Sequence, residues 1–220
     1  MPRSLADKLA KLLAELEREG ITDPRVLAAL RRVPRDLFVP AECRSHAFRN
    51  IPLPIGEGQT ISQPFVVALM TQSLALSGAE TVLEIGTGSG YQCAILAELS
   101  GTVISLERFH SLSKTARRRL AQLGYQNVQL LVGDGSLGHP PRAPYDAIVV
   151  TAASPRVPQP LIDQLAEGGR LVLPVGSHLS QELIIYTKQG RELTPRHLGS
   201  VRFVPLVGEA GWQEREVECP

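Results

Sequence analysis

The 220-residue sequence predicts an α/β fold built on one doubly wound, mostly parallel sheet with helices on both faces. Three observations carry that prediction. The apolar run Thr81-Val-Leu-Glu-Ile85 breaks directly into Gly86-x-Gly88-x-Gly90, and a helical pattern follows over 91–99. Strand, glycine turn and helix in that order open a Rossmann-like βαβ unit, in which the helix offers free N–H groups to a ligand. Strand-like and helical segments then alternate to about residue 175, which implies parallel pairing through crossover helices. The end of the chain departs from this: strand patterns over 182–188 and 201–207 flank the turn at Gln189-Gly190 with no full helix between them, so they predict an antiparallel edge.

The elements follow in order. Residues 4–19 predict an amphipathic helix with Leu5, Leu9, Leu12, Leu13 and Leu16 on one face, Ser4 as cap and Gly20 after the end. A second helix starts at Pro24 behind Thr22 and Asp23, buries Val26, Leu27 and Leu30, and stops before Pro34. Residues 40–60, rich in proline and glycine, predict a long loop, and long ordered loops are usually functional. A helix over 64–77 turns Phe65, Leu69, Met70 and Leu74 inward, with Ser62 or Gln63 near its cap. Then come strand 81–85, helix 90–99, strand 102–107, helix 111–123, strand 127–132 and the turn Gly133-Asp-Gly135. Strand 145–151, helix 158–167 and strand 170–175 complete the alternation. The chain divides into a helical cap and connector (1–57), a ligand-binding core (58–207) and a tail (208–220), all within one domain.

Composition excludes several classes. A net charge of +1 gives no nucleic-acid footprint. No apolar run reaches the ~18 residues of a membrane span, and residues 1–8 lack an apolar leader, so a soluble, cytoplasmic protein without membrane partners is expected. Cys43, Cys93 and Cys219 have no ligand-like spacing and cannot all pair, which suits a reducing compartment. The five histidines form no metal-binding set, so no metal is expected. Arg117-Arg118-Arg119 reads as a solvated helix face, and Trp212 as an anchor for the tail.

The glycine turn could serve a dinucleotide, S-adenosyl-L-methionine or no ligand at all. A dinucleotide site needs Gly-x-Gly-x-x-Gly, but here the third glycine comes one residue early and Tyr91 occupies its place. Glu84, two residues before Gly86, suits the ammonium and sulfonium charges of S-adenosyl-L-methionine better than a diphosphate. Glu107 ends the next strand, where it can take ribose hydroxyls, and Asp134 ends the third, where it can take an adenine amino group beside an open Gly135. Taken singly, Glu107 could pair with Arg108 and Asp134 could be a turn residue. Three acids at successive strand ends favour S-adenosyl-L-methionine, with S-adenosyl-L-homocysteine as product.

Gly58-Gln-Thr-Ile-Ser-Gln-Pro64, Val82-Leu-Glu-Ile-Gly-Thr-Gly-Ser-Gly-Tyr-Gln92, Gly133-Asp-Gly135, Pro174-Val-Gly176 and Arg202-Phe-Val-Pro-Leu206 together carry a resemblance covering about residues 20–207. In them the sequence resembles the protein-L-isoaspartate O-methyltransferases. The resemblance implies methyl transfer to the free α-carboxylate of L-isoaspartyl residues in damaged proteins and peptides; a monomer is expected. It makes Ser62 the catalytic residue, and Gln59, Thr60, Ile61 and Ser62 a wall over the cofactor. It carries over Ser89, Glu107, Arg108, Asp134 and Gly135 as cofactor contacts beside Glu84, Gly86, Gly88 and Gly90, and sets Val204 and Pro205 near the peptide. Core packing in a strand is the plainer reading of Val204 and Pro205, and a helix cap that of Ser62. The sequence departs from some members at Val67, where a histidine can stand, and after Leu206, where polar contacts are missing.

Overall fold

The computed structural model describes residues 4–217. Cys219 lies outside the described residues, while Cys43 and Cys93 are free thiols. Helix α1 (Leu5–Arg18) opens with a full capping box: Asp7 N donates to Ser4 Oγ, and Ser4 N donates to the Asp7 carboxylate. It buries Leu12, Leu13 and Leu16, whereas Leu5 stays 55% exposed because the first turn overhangs the core. Helix α2 (Pro24–Arg32) starts on the Asp23 cap with proline at its first turn.

The connector is more ordered than its composition suggested. It contains 3-10 turns at Arg35–Phe38 and Ala41–His46, then a hairpin of β1 (Leu53–Gly56) and β2 (Gln59–Ile61). Leu53 pairs with Ile61, and the tip carries three residues at positive φ: Gly56, Glu57 and Gly58. Strands of four and three residues, one holding Pro54, show too little alternation to be read from sequence. The hairpin also straddles the expected 57/58 boundary. Helix α3 (Pro64–Ser73) stops short of residue 77, with Ala75 at φ 47. The Thr71 and Ser73 hydroxyls donate back to Val67 O and Leu69 O, which accommodates both residues in a turn that gains little by continuing.

The alternating unit then runs β3 (Thr81–Ile85), α4 (Tyr91–Ala97), β4 (Thr102–Glu107), α5 (His110–Gln122), β5 (Val128–Val132), β6 (Tyr145–Val150), α6 (Gln159–Asp163) and β7 (Leu165–Gly176). It ends in β8 (Gln181–Gln189) and β9 (Glu192–Val201). The sheet order is β5-β4-β3-β6-β7-β8-β9; the first five strands are parallel, and the last two are added antiparallel. Successive residues of β3 face opposite ways, so Val82 packs beneath the cap and α4 while Leu83 and Ile85 join the other core with Leu161 of α6. Both faces are covered by helices, as predicted.

Two elements differ from expectation. Helix α6 has five residues, not ten, because β7 begins already at Leu165, paired to Tyr145. Lys188 Nζ donates to Ile162 O (2.9 Å), a carbonyl left by the short helix, and to Leu165 O (2.6 Å) at the start of β7. The second strand of the antiparallel edge is 192–201, not 201–207. It is an exposed edge carrying Pro195 and Gly199, so its sequence looked like loop. Residues 202–207 leave the sheet and cross to Ala153: Ala153 N donates to Val204 O and Leu206 N donates to Ala153 O. Among the described residues no helix is long and apolar enough to cross a membrane.

Candidate active site

A cavity of about 350 Å³ opens at the C-terminal ends of β3, β4 and β6, where ligands of open parallel sheets bind. Its floor is the glycine turn, with Gly86, Gly88 and Gly90 at φ 94, 51 and 89, a region that residues bearing a Cβ rarely enter. At Gly86 a Cβ would also collide with Thr151 Oγ1, whose hydroxyl donates to Gly86 O at 2.7 Å and ties the turn to the end of β6. Gly90 is turned away from the cavity and packs against Ala116 of α5. The early third glycine therefore serves helix packing.

Four of the turn's N–H groups are already used. Gly86 N and Thr87 N donate to Leu106 O, Gly90 N donates to Thr87 O, and Gly88 N donates to Glu107 Oε2 at 2.8 Å. Among the described residues Ser89 N, and Gln92 N and Cys93 N in the first turn of α4, have no such partner, so the free donors expected of the helix start remain there and not at the glycines. A diphosphate depends on such donors, whereas the charge beside this turn is acidic. Glu107 lines the cavity, accepts from Gly88 N and from Phe109 N (3.0 Å), and keeps lone pairs for ribose hydroxyls. Arg108 does not pair with it; its partner is Glu214, at 2.9 Å. With the glycine N–H groups committed and Glu107 beside them, the turn suits a cationic cofactor without phosphates better than a dinucleotide.

The hairpin forms the wall. Gln59, Thr60, Ile61 and Ser62 all line the cavity. Ser62 follows β2 directly and is half-buried; among the described residues its hydroxyl has no hydrogen-bond partner. Gln63 is the N-cap of α3 and makes no side-chain cap bond, so Ser62 does not cap that helix. The opposite wall is the crossing strap, where Val204, Pro205, Leu206 and Val207 line the cavity and Val204 and Pro205 are only half-buried. Both residues lie outside the strands, which corrects the strand part of their plainer reading, while Val204 still packs against the core. Ser89, Arg108 and Gly135 complete the expected lining, and Val67 stands at the wall as an apolar residue.

Two expected acids lie elsewhere. Glu84 is wholly buried beneath the turn and does not line the cavity. Burial pushes its carboxyl up to about 8. Asp134 lies in an adjoining groove; its carboxylate accepts from Ser136 N (2.8 Å), Ser136 Oγ (2.7 Å) and, from the tail, Glu209 N (2.7 Å). Trp212 does anchor that tail, donating from Nε1 to Ala153 O at 3.1 Å and stacking on His178. In the arginine run Arg117 and Arg118 are exposed, as a solvated face requires, although Arg117 donates to Leu130 O and half-buried Arg119 donates to Ser89 O.

The sequence reading missed Tyr91, Gln92, Phe109, Thr151 and Ala152, which also line the cavity. Tyr91 was noted only as a misfit to the dinucleotide pattern. Thr151, one residue beyond β6, carried no motif, but its place at a parallel strand end was a usable signal. Gly135 meets Ile85 Cγ2 where a Cβ would stand, so Gly135→Ala should cost about 1–3 kcal/mol through overpacking. Urea melts of the variant check this; an unchanged midpoint would show that Ile85 moves aside freely.

Comparison with known proteins places these features. A family model described as protein-L-isoaspartate(D-aspartate) O-methyltransferase matches residues 7–211. A protein-L-isoaspartate O-methyltransferase of Methanoculleus marisnigri is 55% identical over 199 residues, covering 90% of each chain. One from Dictyoglomus thermophilum is 52% identical over 207 residues, covering 94% of each. A solved protein-L-isoaspartate O-methyltransferase superposes with a TM-score of 0.84 at 31% identity, over 92% of this chain and 67% of that one. A Plasmodium falciparum structure of that description, in complex with S-adenosyl-L-homocysteine, gives 0.79 at 27%, over 90% and 97%.

Proposed function

Because the chain belongs to the protein-L-isoaspartate(D-aspartate) O-methyltransferase family, it transfers a methyl group from S-adenosyl-L-methionine to the free α-carboxylate of L-isoaspartyl residues, and we propose that Ser62 holds that carboxylate. The ester formed closes to a succinimide and so starts repair of the damaged protein. The observation that carries the Ser62 assignment is its unpartnered hydroxyl on the wall of a cavity whose floor suits a cationic cofactor.

The acceptor is ionised at neutral pH, with a reference pKa of about 4, and needs no general base. The cofactor supplies an electrophilic methyl on a sulfonium. What the protein must add is alignment and dryness, and orientation can be worth about 7–11 kcal/mol. The Ser62 hydroxyl donates to one carboxylate oxygen and leaves the other free for attack. Gln59, Thr60 and Ile61 close over the site and exclude water, and Glu107 accepts from the ribose. Gly86, Gly88 and Ser89 allow close backbone approach. Arg108 and Gly135 flank the adenine end, where Asp134 orders the rim by holding the tail. Val204 and Pro205 bound the peptide. The enzyme works as a monomeric single domain in the cytoplasm on polypeptides; a net charge of +1 supports protein over nucleic-acid acceptors.

Methyl-labelled cofactor with paired peptides, carrying L-isoaspartate or L-aspartate at one position, tests the reading. Base-labile label is expected in the isoaspartyl peptide only. Equal labelling of both peptides, or of neither, would overturn it.

A further inference from the structure

Beneath the glycine turn lies a row of buried polar groups that the transfer chemistry does not use. Glu84 on β3 and Ser105 on β4 are both 0% exposed, and Thr87 in the turn is 3% exposed. Ser105 Oγ lies 2.5 Å from Glu84 Oε2 and 2.5 Å from Thr87 Oγ1. The row therefore runs from the carboxyl through two hydroxyls to a residue that lines the cavity. The other Glu84 oxygen, Oε1, is buried with no hydrogen-bond partner.

The charged groups around it give an anion no help. The Cys93 thiol of α4 is the other titratable neighbour, and burial keeps it protonated. Glu107, at the end of β4, is a second acid and repels. From β6 the register partner is Val149, which is apolar. Among the described residues no basic group bonds to Glu84. An isolated buried carboxylate in such a place is resolved by taking a proton.

We propose that Glu84 is a positioning residue of the glycine turn that acts as a neutral acid, holding Thr87 through Ser105, and is not an anion that meets the cofactor. The proton removes the buried charge and gives the row a third hydrogen to share. Glu84 can then donate to Ser105 and Ser105 to Thr87, or Glu84 can donate from Oε1 toward the thiol. Either arrangement fixes the Thr87 side chain at the cavity floor. The upward push on the Glu84 carboxyl agrees with this placement. The proposal rests on the cofactor assignment above, but its protonation claim does not.

Two measurements test it. Infrared difference spectra of wild type against Glu84→Gln at pH 7 should show loss of one protonated-carboxyl C=O band. Calorimetry with S-adenosyl-L-homocysteine should give Glu84→Gln an affinity within about twofold of wild type, while Glu84→Ala binds at least ~10-fold more weakly. Glutamine is neutral and keeps both a donor and an acceptor, so it substitutes for the acid and not for the anion. The proposal is overturned if no such band is lost, if glutamine costs as much as alanine, or if alanine costs nothing. If Glu84→Ala fails to fold, Ser105→Ala replaces it with the same expected weakening. Failure of wild type to bind S-adenosyl-L-homocysteine would instead strike the cofactor reading, and the infrared band would still decide the proton.

Discussion

Ser62→Ala is expected to lower kcat about a hundredfold while leaving affinity for S-adenosyl-L-homocysteine within about threefold. The residue stands where the hairpin ends and α3 has not yet begun, so its backbone is held by an element on either side. Its hydroxyl has no internal partner to lose. The loss should therefore fall on turnover, where the acceptor must be aligned, and little on folding. A capping serine would behave differently, since its removal costs about 1 kcal/mol of stability. Paired steady-state kinetics and thermal melts separate the two. Unchanged turnover with a lowered melting temperature would return Ser62 to a structural role.

Glu84→Gln should stabilise the protein by an amount that grows with pH. The Glu84 carboxyl sits at about 8 in the folded chain, against an ordinary 4.5. Between those values the folded state holds a proton that the unfolded state has released, so unfolding sheds a proton and stability falls as pH rises. The loss begins near 4.5 and is complete above about 8, where it amounts to on the order of 5 kcal/mol. Glutamine has no proton to lose. Other titrating groups occur in both proteins and cancel from the comparison. Urea unfolding at pH 5, 7 and 9 should show the variant pulling ahead and then levelling off; a difference that stays constant over that range would refute the assignment.

The parts legible from sequence were those in which one physical rule acts alone. β3 and β4 are mostly apolar strands buried on both faces, and their limits were readable to the residue. The glycine turn was visible because backbone at positive φ demands glycine. Ser62 was visible only as part of a family segment. Its hairpin is too short to show alternation, and the geometry that frees its hydroxyl depends on Gln63 taking the cap. Glu84 and Glu107 illustrate the remaining limit. Both are acids on neighbouring strands near the sheet's C-terminal edge, yet one ends its strand and reaches the cavity while the other, a residue earlier in β3, is buried beneath it. Asp134 was placed correctly at its strand end, but its tail partner lies 75 positions away in the chain, and no local pattern announces it.

The strap at 204–207 has a consequence for synthesis. A chain emerging from the ribosome acquires the glycine turn and the middle strands early, and both can begin to pack. The wall opposite Ser62 arrives only after residues 204–207 have been made, because it closes on Ala153 from a segment well downstream of it. A product stalled before residue 204 thus has a cofactor floor with one side open to water. Activity is tied to synthesis of the strap, so the enzyme has no second wall for its substrate until residues 204–207 are in place.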